Sequence, residues 1–149
     1  MEKLEKLIKI LREFNPIQEL EKILKNNEKE IIALITREQI YKGISGDGGK
    51  ITPPYSEGYK KWKSKKGLYQ GHVDLHLSGT YLKSFEAQYK DNEVIIESDR
   101  SVDGFNLSQW LKGRYGSEVE DFTEKHYNQI LKLISKELEK EIRKSLQSI

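Results

Sequence analysis

An α+β fold is expected for this chain, with an N-terminal helical pair, a small antiparallel β-sheet carrying long loops, and a long C-terminal amphipathic helix. Three observations predict it. Apolar residues recur at three- and four-residue spacing at both ends of the chain, as on one face of a helix. Glycine and proline crowd between residues 43 and 54. Two short strand-like runs, one near 84–90 and one over Glu93–Ser98 holding Val94, Ile95 and Ile96, flank Asp91-Asn92 as in a hairpin. No repeat with a period of 20–50 residues is present, and residues 1–149 read as a single domain in three stretches, 2–41, 43–104 and 105–149.

The first stretch is helical. Leu4, Leu7, Ile8, Leu11 and Phe14 share one face. Asn15-Pro16 ends that helix and starts another: Asn15 caps, Pro16 suits the first helical position, and Gln18 stands three residues after the cap. Ile17, Leu20, Leu24, Ile31, Leu34 and Ile35 continue the stripe across a polar break at Asn26-Asn27. Charged residues fill the opposite face, which makes these docking helices.

The middle stretch opens with a loop containing Gly43, Gly46, Gly48, Gly49, Pro53 and Pro54, long enough to call for a functional or assembly role. Ser56 caps a short helix over 57–66, weakened by Gly58. Val73, Leu75 and Leu77 alternate with His72, Asp74 and His76, so a short strand is expected there. Ser78-Gly79-Thr80 breaks it, and Tyr81 to Phe85 resumes as either helix or strand. Strands near 84–90 and 93–98 then flank the Asp91-Asn92 turn.

The last stretch begins with an amphipathic segment, Phe105 to Leu111, expected to stop at Gly113, and turns at Arg114-Tyr115-Gly116. Thr123 caps the closing helix, whose stripe is Tyr127, Ile130, Leu131, Ile134, Leu138, Ile142 and Leu146.

Composition narrows the function. Asp, Glu, Lys and Arg make up 34% of the 149 residues against a usual share of about 25%, while Leu, Ile, Val and Phe number 40, enough for a modest core. Such a core is expected if neighbouring subunits supply part of the burial. The net charge of +2 identifies no partner class. With no cysteine, disulfide frameworks, zinc ribbons and thiol nucleophiles are excluded. No apolar run approaches the ~18 residues of a membrane span, and Met1-Glu2-Lys3 does not open a signal peptide. The expectation is a soluble protein kept inside the cell, or inside something a cell assembles.

Few residues point to chemistry. On a strand, His72, Asp74 and His76 would share a face as metal ligands do, but a polar outer face opposite Val73, Leu75 and Leu77 is the simpler expectation. No metal or other cofactor is therefore expected. Gly46-Asp47-Gly48-Gly49-Lys50 lacks the spacing of a phosphate-binding loop, no G-x-S-x-G elbow is present, and no enzyme is expected. Lys60, Lys61, Lys63, Lys65 and Lys66, with Tyr59, Trp62 and Tyr69 interleaved, form an interface or DNA-facing loop, its lysines suited to phosphates and its aromatics to stacking. The absence of arginine from that run points away from base-specific readout. Glu118, Glu120, Asp121 and Glu124 form an acidic patch without a basic residue in the run. Opposite patches on one chain permit head-to-tail contacts, and such contacts close into rings.

Tyr55-Ser56, the lysine-rich run, Gly67, and Val73-Asp74-Leu75-His76-Leu77-Ser78-Gly79-Thr80-Tyr81-Leu82-Lys83-Ser84-Phe85 together give a central stretch that resembles small virion proteins of tailed bacteriophages. In the virion-morphogenesis and tail-completion proteins of Mu-like and lambda-like phages, a stretch of the form L-x-x-T/S-G-x-L-x-x-S precedes antiparallel strands. A later Tyr-Gly pair, here Tyr115-Gly116, precedes a C-terminal helix. The same order resembles short proteins of crAss-like and other gut Bacteroidetes phages, over residues 38–146. The resemblance implies a non-enzymatic head–tail connector or tail-completion component, a homo-oligomeric ring between portal and tail. It would be assembled in the host bacterial cytoplasm and located in the neck or tail of the virion. It also implies that Ser78-Gly79-Thr80 turns the chain toward Phe85, with Ser78 in place of the commoner Thr. The partners expected are further copies of the chain and portal or tail proteins, without a membrane. The loops at 43–54 and 59–67 would reach toward neighbours or toward DNA in the channel, touched without sequence preference. The alternative is a nucleic-acid-binding accessory or assembly protein using Lys60–Lys66.

Overall fold

A computed structural model describes residues 2–149, and the fold is the expected α+β class. The chain divides into two compact units. One holds the residues up to Glu28 together with Asn128–Ile149, the other Lys29–Tyr127.

The first unit is helical. It comprises α1 (Glu2–Glu13), α2 (Pro16–Asn26) and most of α7 (Glu124–Gln147). Asn15 caps α2 as expected, its side-chain oxygen accepting from the Ile17 and Gln18 amides with Pro16 in the first helical position. The break at Asn26-Asn27 is real, and Asn27 ends the helix by donating to the Ile23 carbonyl. Burial in this unit is sparse. Of its described residues only Ile23 and Ile130 are buried, whereas Leu4 is 56% and Leu11 62% exposed.

The second unit begins at Lys29, one residue into α3 (Glu28–Ile35), which widens into one π-helical turn over Thr36–Ile40. That turn brings Thr36, Gln39 and Ile40 inward together. Gln39 ties down the chain ahead of α7. Its side-chain carbonyl accepts from the Thr123 amide at 3.0 Å and lies 3.2 Å from His126 Nδ1. Thr123 caps α7 as expected, accepting from the His126 amide. The glycine-rich loop is pinned at a few points, with Ser45 and Ile51 buried and the Gly46 amide donating to the Glu118 carbonyl at 2.9 Å, while residues 47–50 and 52–54 are exposed. A Cβ on Gly46 would lie 2.5 Å from that same oxygen, so only glycine permits this approach.

Ser56 caps α4 (Glu57–Lys65) by accepting from the Tyr59 amide. The expected strand over 73–77 is absent. Leu75 has φ of +48°, which breaks the alternation and leaves Val73 and Asp74, neighbours in sequence, both buried. The turn expected at Ser78-Gly79-Thr80 is present, with Gly79 at φ +83° opening the short helix α5 (Thr80–Lys83), so Tyr81 to Lys83 resolves as helix.

The hairpin matches expectation closely. β1 (Phe85–Lys90) pairs antiparallel with β2 (Glu93–Ser98), from Phe85 opposite Ser98 to Lys90 opposite Glu93. Asp91 and Asn92 both take positive φ, as a two-residue hairpin turn with the right twist requires. A second, smaller hairpin was not anticipated: β3 (Ser101–Val102) and β4 (Phe105–Asn106) joined by Asp103-Gly104, a pair suited to the same turn. Phe105 is therefore in a strand, and α6 (Leu107–Tyr115) starts after an Asn106 cap. It runs through Gly113 and ends at Gly116, where φ is +97°. Ile35, Ile40, Ile51, Tyr55, Val73, Tyr81, Phe85, Leu111 and Val119 form the core. A 3₁₀ turn over Ser117–Glu120 covers one end of it.

Candidate functional site

Two buried polar knots and a cleft are the features within Lys29–Tyr127 that gather polar and charged side chains. The first knot is Lys63 with Asp74. α4 directs Lys63 inward, where its ammonium donates to Asp74 Oδ1 at 2.6 Å and to the His76 carbonyl at 2.8 Å. Both side chains are fully buried. Asp74 Oδ1 also accepts from the Tyr55 hydroxyl and the His76 amide, each at 3.1 Å, and the Tyr55 oxygen accepts from the Leu75 amide at 3.0 Å. Burial pushes the Tyr55 phenol far up, and the Asp74 charge adds to the effect. Lys63 Nζ also lies over the Tyr55 ring at 4.9 Å. The opposite charges offset part of each other's desolvation cost, although Asp74 Oδ2 is buried without a hydrogen-bond partner among the described residues.

Lys63 is thus corrected from a DNA-facing residue to a structural one. A basic run at helical spacing necessarily turns one member inward, and the partner that makes this possible, Asp74, lies eleven residues away. Lys61, Lys65 and Lys66 remain exposed, while Lys60 is half-buried and paired with Glu57. The Lys60 ammonium is held above its usual range by the hydrogen bond to Glu57. Trp62 is 41% exposed, stacks on Tyr59 at 5.6 Å and lies beneath the Lys66 ammonium.

The second knot withdraws one member of the acidic patch. Glu120 is buried, accepting from the Tyr81 hydroxyl at 2.6 Å and from the Ser108 hydroxyl, with Lys112 Nζ 3.3 Å away. Burial, and then the Glu120 charge, push the Tyr81 phenol far up. Glu118, Asp121 and Glu124 stay exposed. The acidic patch therefore has three surface members, and Glu120 is corrected to a buried anchor of α6.

His72, Asp74 and His76 do not converge. His72 Nε2 lies 2.8 Å from the Tyr41 carbonyl, Asp74 is taken by Lys63, and the His76 ring packs edge-on to Tyr41 at 5.4 Å. Without the strand, they share no face. Among the described residues, no group of three or more His, Cys, Asp or Glu is placed to hold a metal ion. No helix is long and apolar enough to cross a membrane among those residues.

Between the knots lies a cleft of about 550 Å³, lined by Tyr59, Leu77, Arg100, Leu107, Trp110 and Arg114 among others. Leu77 is 48% and Trp110 53% exposed, so large apolar groups stand open at its mouth. Neither arginine makes an ion pair among the described residues, and Arg114 rests over the Tyr115 ring at 5.5 Å. The sequence offered no signal for the cleft, because its walls come from α4, the 75–80 turn and α6, segments far apart in the chain. An apolar floor between unpaired guanidiniums suits a partner with apolar and acidic side chains together. Set against protein-family models, curated proteins and solved structures, the chain finds no match.

Proposed function

We propose that this chain is a structural virion protein of a tailed phage, a ring-forming head–tail connector or tail-completion component between portal and tail. The observation that carries the reading is the unfinished core of the helical unit. Its described residues bury only Ile23 and Ile130, while Leu4, Ile8, Leu11, Ile17, Leu131, Ile142 and Leu146 stay substantially exposed. Units below about 60 residues are marginal, and these exposed stripes support a reading in which a second copy or a flanking virion protein covers them. Covering each such side chain stabilises by up to about 1.5–3 kcal/mol, less the share already buried. The central resemblance to virion-morphogenesis proteins supplies the biological setting. One departure accompanies it: Tyr81 occupies the place of the motif's second leucine, with its hydroxyl spent on Glu120.

Sedimentation of the full chain over a wide concentration range tests the reading. Discrete oligomers that dissociate on dilution are expected, and a monomer throughout would overturn self-assembly. A second reading, nonspecific contact with genomic DNA, draws on exposed Lys61, Lys65 and Lys66 beside Trp62. Binding to a labelled duplex across salt tests it, because phosphate-driven affinity falls steeply as salt rises.

A further inference from the structure

We propose that the arginine-flanked cleft receives the tip of the β1–β2 hairpin from a second copy of this chain, so that the subunits join head to tail. The proposal rests on the self-assembly reading above and assigns it an interface.

The hairpin is held along its lower half: Phe85 and Ser98 are buried, Ile96 packs against the core and Glu97 pairs with Lys112 at 3.5 Å, whereas Lys90 to Ile95 are all exposed. An isolated two-stranded hairpin is marginal in water, and this one leaves Val94 39% and Ile95 44% exposed on successive positions, hence on both faces, beside a hollow shared with Asp121 and Phe122. Asp91 and Glu93 stand beside them, without an ion pair among the described residues.

Tip and cleft are complementary in three respects. The tip protrudes and the cleft is concave. Val94 and Ile95 match the open apolar surface of Leu77 and Trp110. Asp91 and Glu93 outnumber Lys90, which stands opposite Glu93, so the tip is net acidic and opposite in sign to Arg100 and Arg114.

A single chain cannot satisfy its own cleft with this tip. The strands pair through all six positions, which sets the turn about 17 Å from the base. Arg100, only two residues past the end of β2, lines the cleft beside that base. The tip must therefore enter another copy. A contact between two different surfaces is heterologous, and it closes into a ring or continues as a filament.

A charge-exchange experiment decides the matter. Two variants of the full chain are made, Arg100→Glu with Arg114→Glu, and Asp91→Lys with Glu93→Lys, and far-ultraviolet circular dichroism checks folding. Each alone is expected to self-associate about 100-fold or more weakly than the wild type by sedimentation. Mixing the two restores association, because the reversed tip meets the reversed cleft. If the cleft variant does not fold, Val94→Asp with Ile95→Asp, confined to the exposed tip, decides alone by abolishing association or leaving it intact. Wild-type assembly unchanged in both charge variants overturns the hairpin proposal and leaves the oligomer reading standing. Loss with the cleft variant alone overturns it too, pointing to another acidic segment such as Glu118 to Glu124. Loss of duplex binding with assembly intact in the cleft variant would make DNA the occupant. A wild-type chain that stays monomeric overturns the interface together with the reading it rests on.

Discussion

Replacing Lys63 with Met tests whether the buried Lys63–Asp74 pair holds α4 to the 71–79 segment. The substitution keeps most of the side-chain volume and removes the ammonium. Asp74 is then left in a fully buried site without its countercharge, with the Tyr55 hydroxyl and the His76 amide as remaining donors, while the His76 carbonyl loses its partner. Breaking one side of a buried pair costs about 3–5 kcal/mol. For a chain of this size each 1 kcal/mol is worth about 2–4 °C, so Tm falls by about 6–20 °C. Both tryptophans, Trp62 and Trp110, lie within Lys29–Tyr127, so fluorescence-monitored urea unfolding reports on the unit that contains the pair. Adding Asp74→Asn to Lys63→Met removes the stranded carboxyl and is expected to restore at least ~1 kcal/mol of the loss. A Lys63→Met protein within 1 kcal/mol of wild type at unchanged m-value would refute the argument. A second substitution that simply adds its own cost would also refute it.

Further outcomes follow from the same contacts. Tyr81→Phe removes a 2.6 Å hydrogen bond to the buried Glu120 and should cost about 1.5–3 kcal/mol in the same urea titration. Gly46→Ala places a methyl group against the Glu118 carbonyl and should cost about 1–3 kcal/mol. Gly58→Ala faces open space inside α4 and should instead stabilise by about 0.5–1 kcal/mol. Burial lowers the His126 pKa, with Lys125 and Lys42 adding to the effect and Glu38 opposing it. The unfolded state therefore takes up the proton first. His126 contributes no penalty above about pH 6.5 and destabilises progressively as pH falls from there toward the folded pKa. His126→Gln should flatten that part of the stability profile between pH 7 and 5, and an unchanged slope would contradict the assignment.

What was legible in the sequence was local. The Asn15-Pro16 junction, the Ser56 and Thr123 caps and the Asp91-Asn92 turn depend on residues within three or four positions of one another, and all are present. What was hidden depended on distant partners. Alternation at His72 to Leu77 imitated a strand, yet Asp74 is drawn inward by Lys63 and Tyr55, and the backbone at Leu75 turns left-handed to allow it. Gly113 did not end α6, because Leu111 is buried in the core and Lys112 reaches Glu120, so tertiary contacts outweigh about 1 kcal/mol of glycine propensity. Gln39 gave no signal at all, since its partners Thr123 and His126 lie more than eighty positions away. The Lys60–Lys66 run and the acidic patch each read as uniform surface charge, and each proved to contain one buried anchor, Lys63 and Glu120.

The central claim is that this chain is a multi-copy part of the phage neck or tail. Quantitative mass spectrometry of any phage particles purified from lysates of the cells that produce this chain tests this proposal most directly. The expected result is a copy number of about six, twelve or a small multiple per particle, as ring symmetry requires. Absence from finished particles would contradict it.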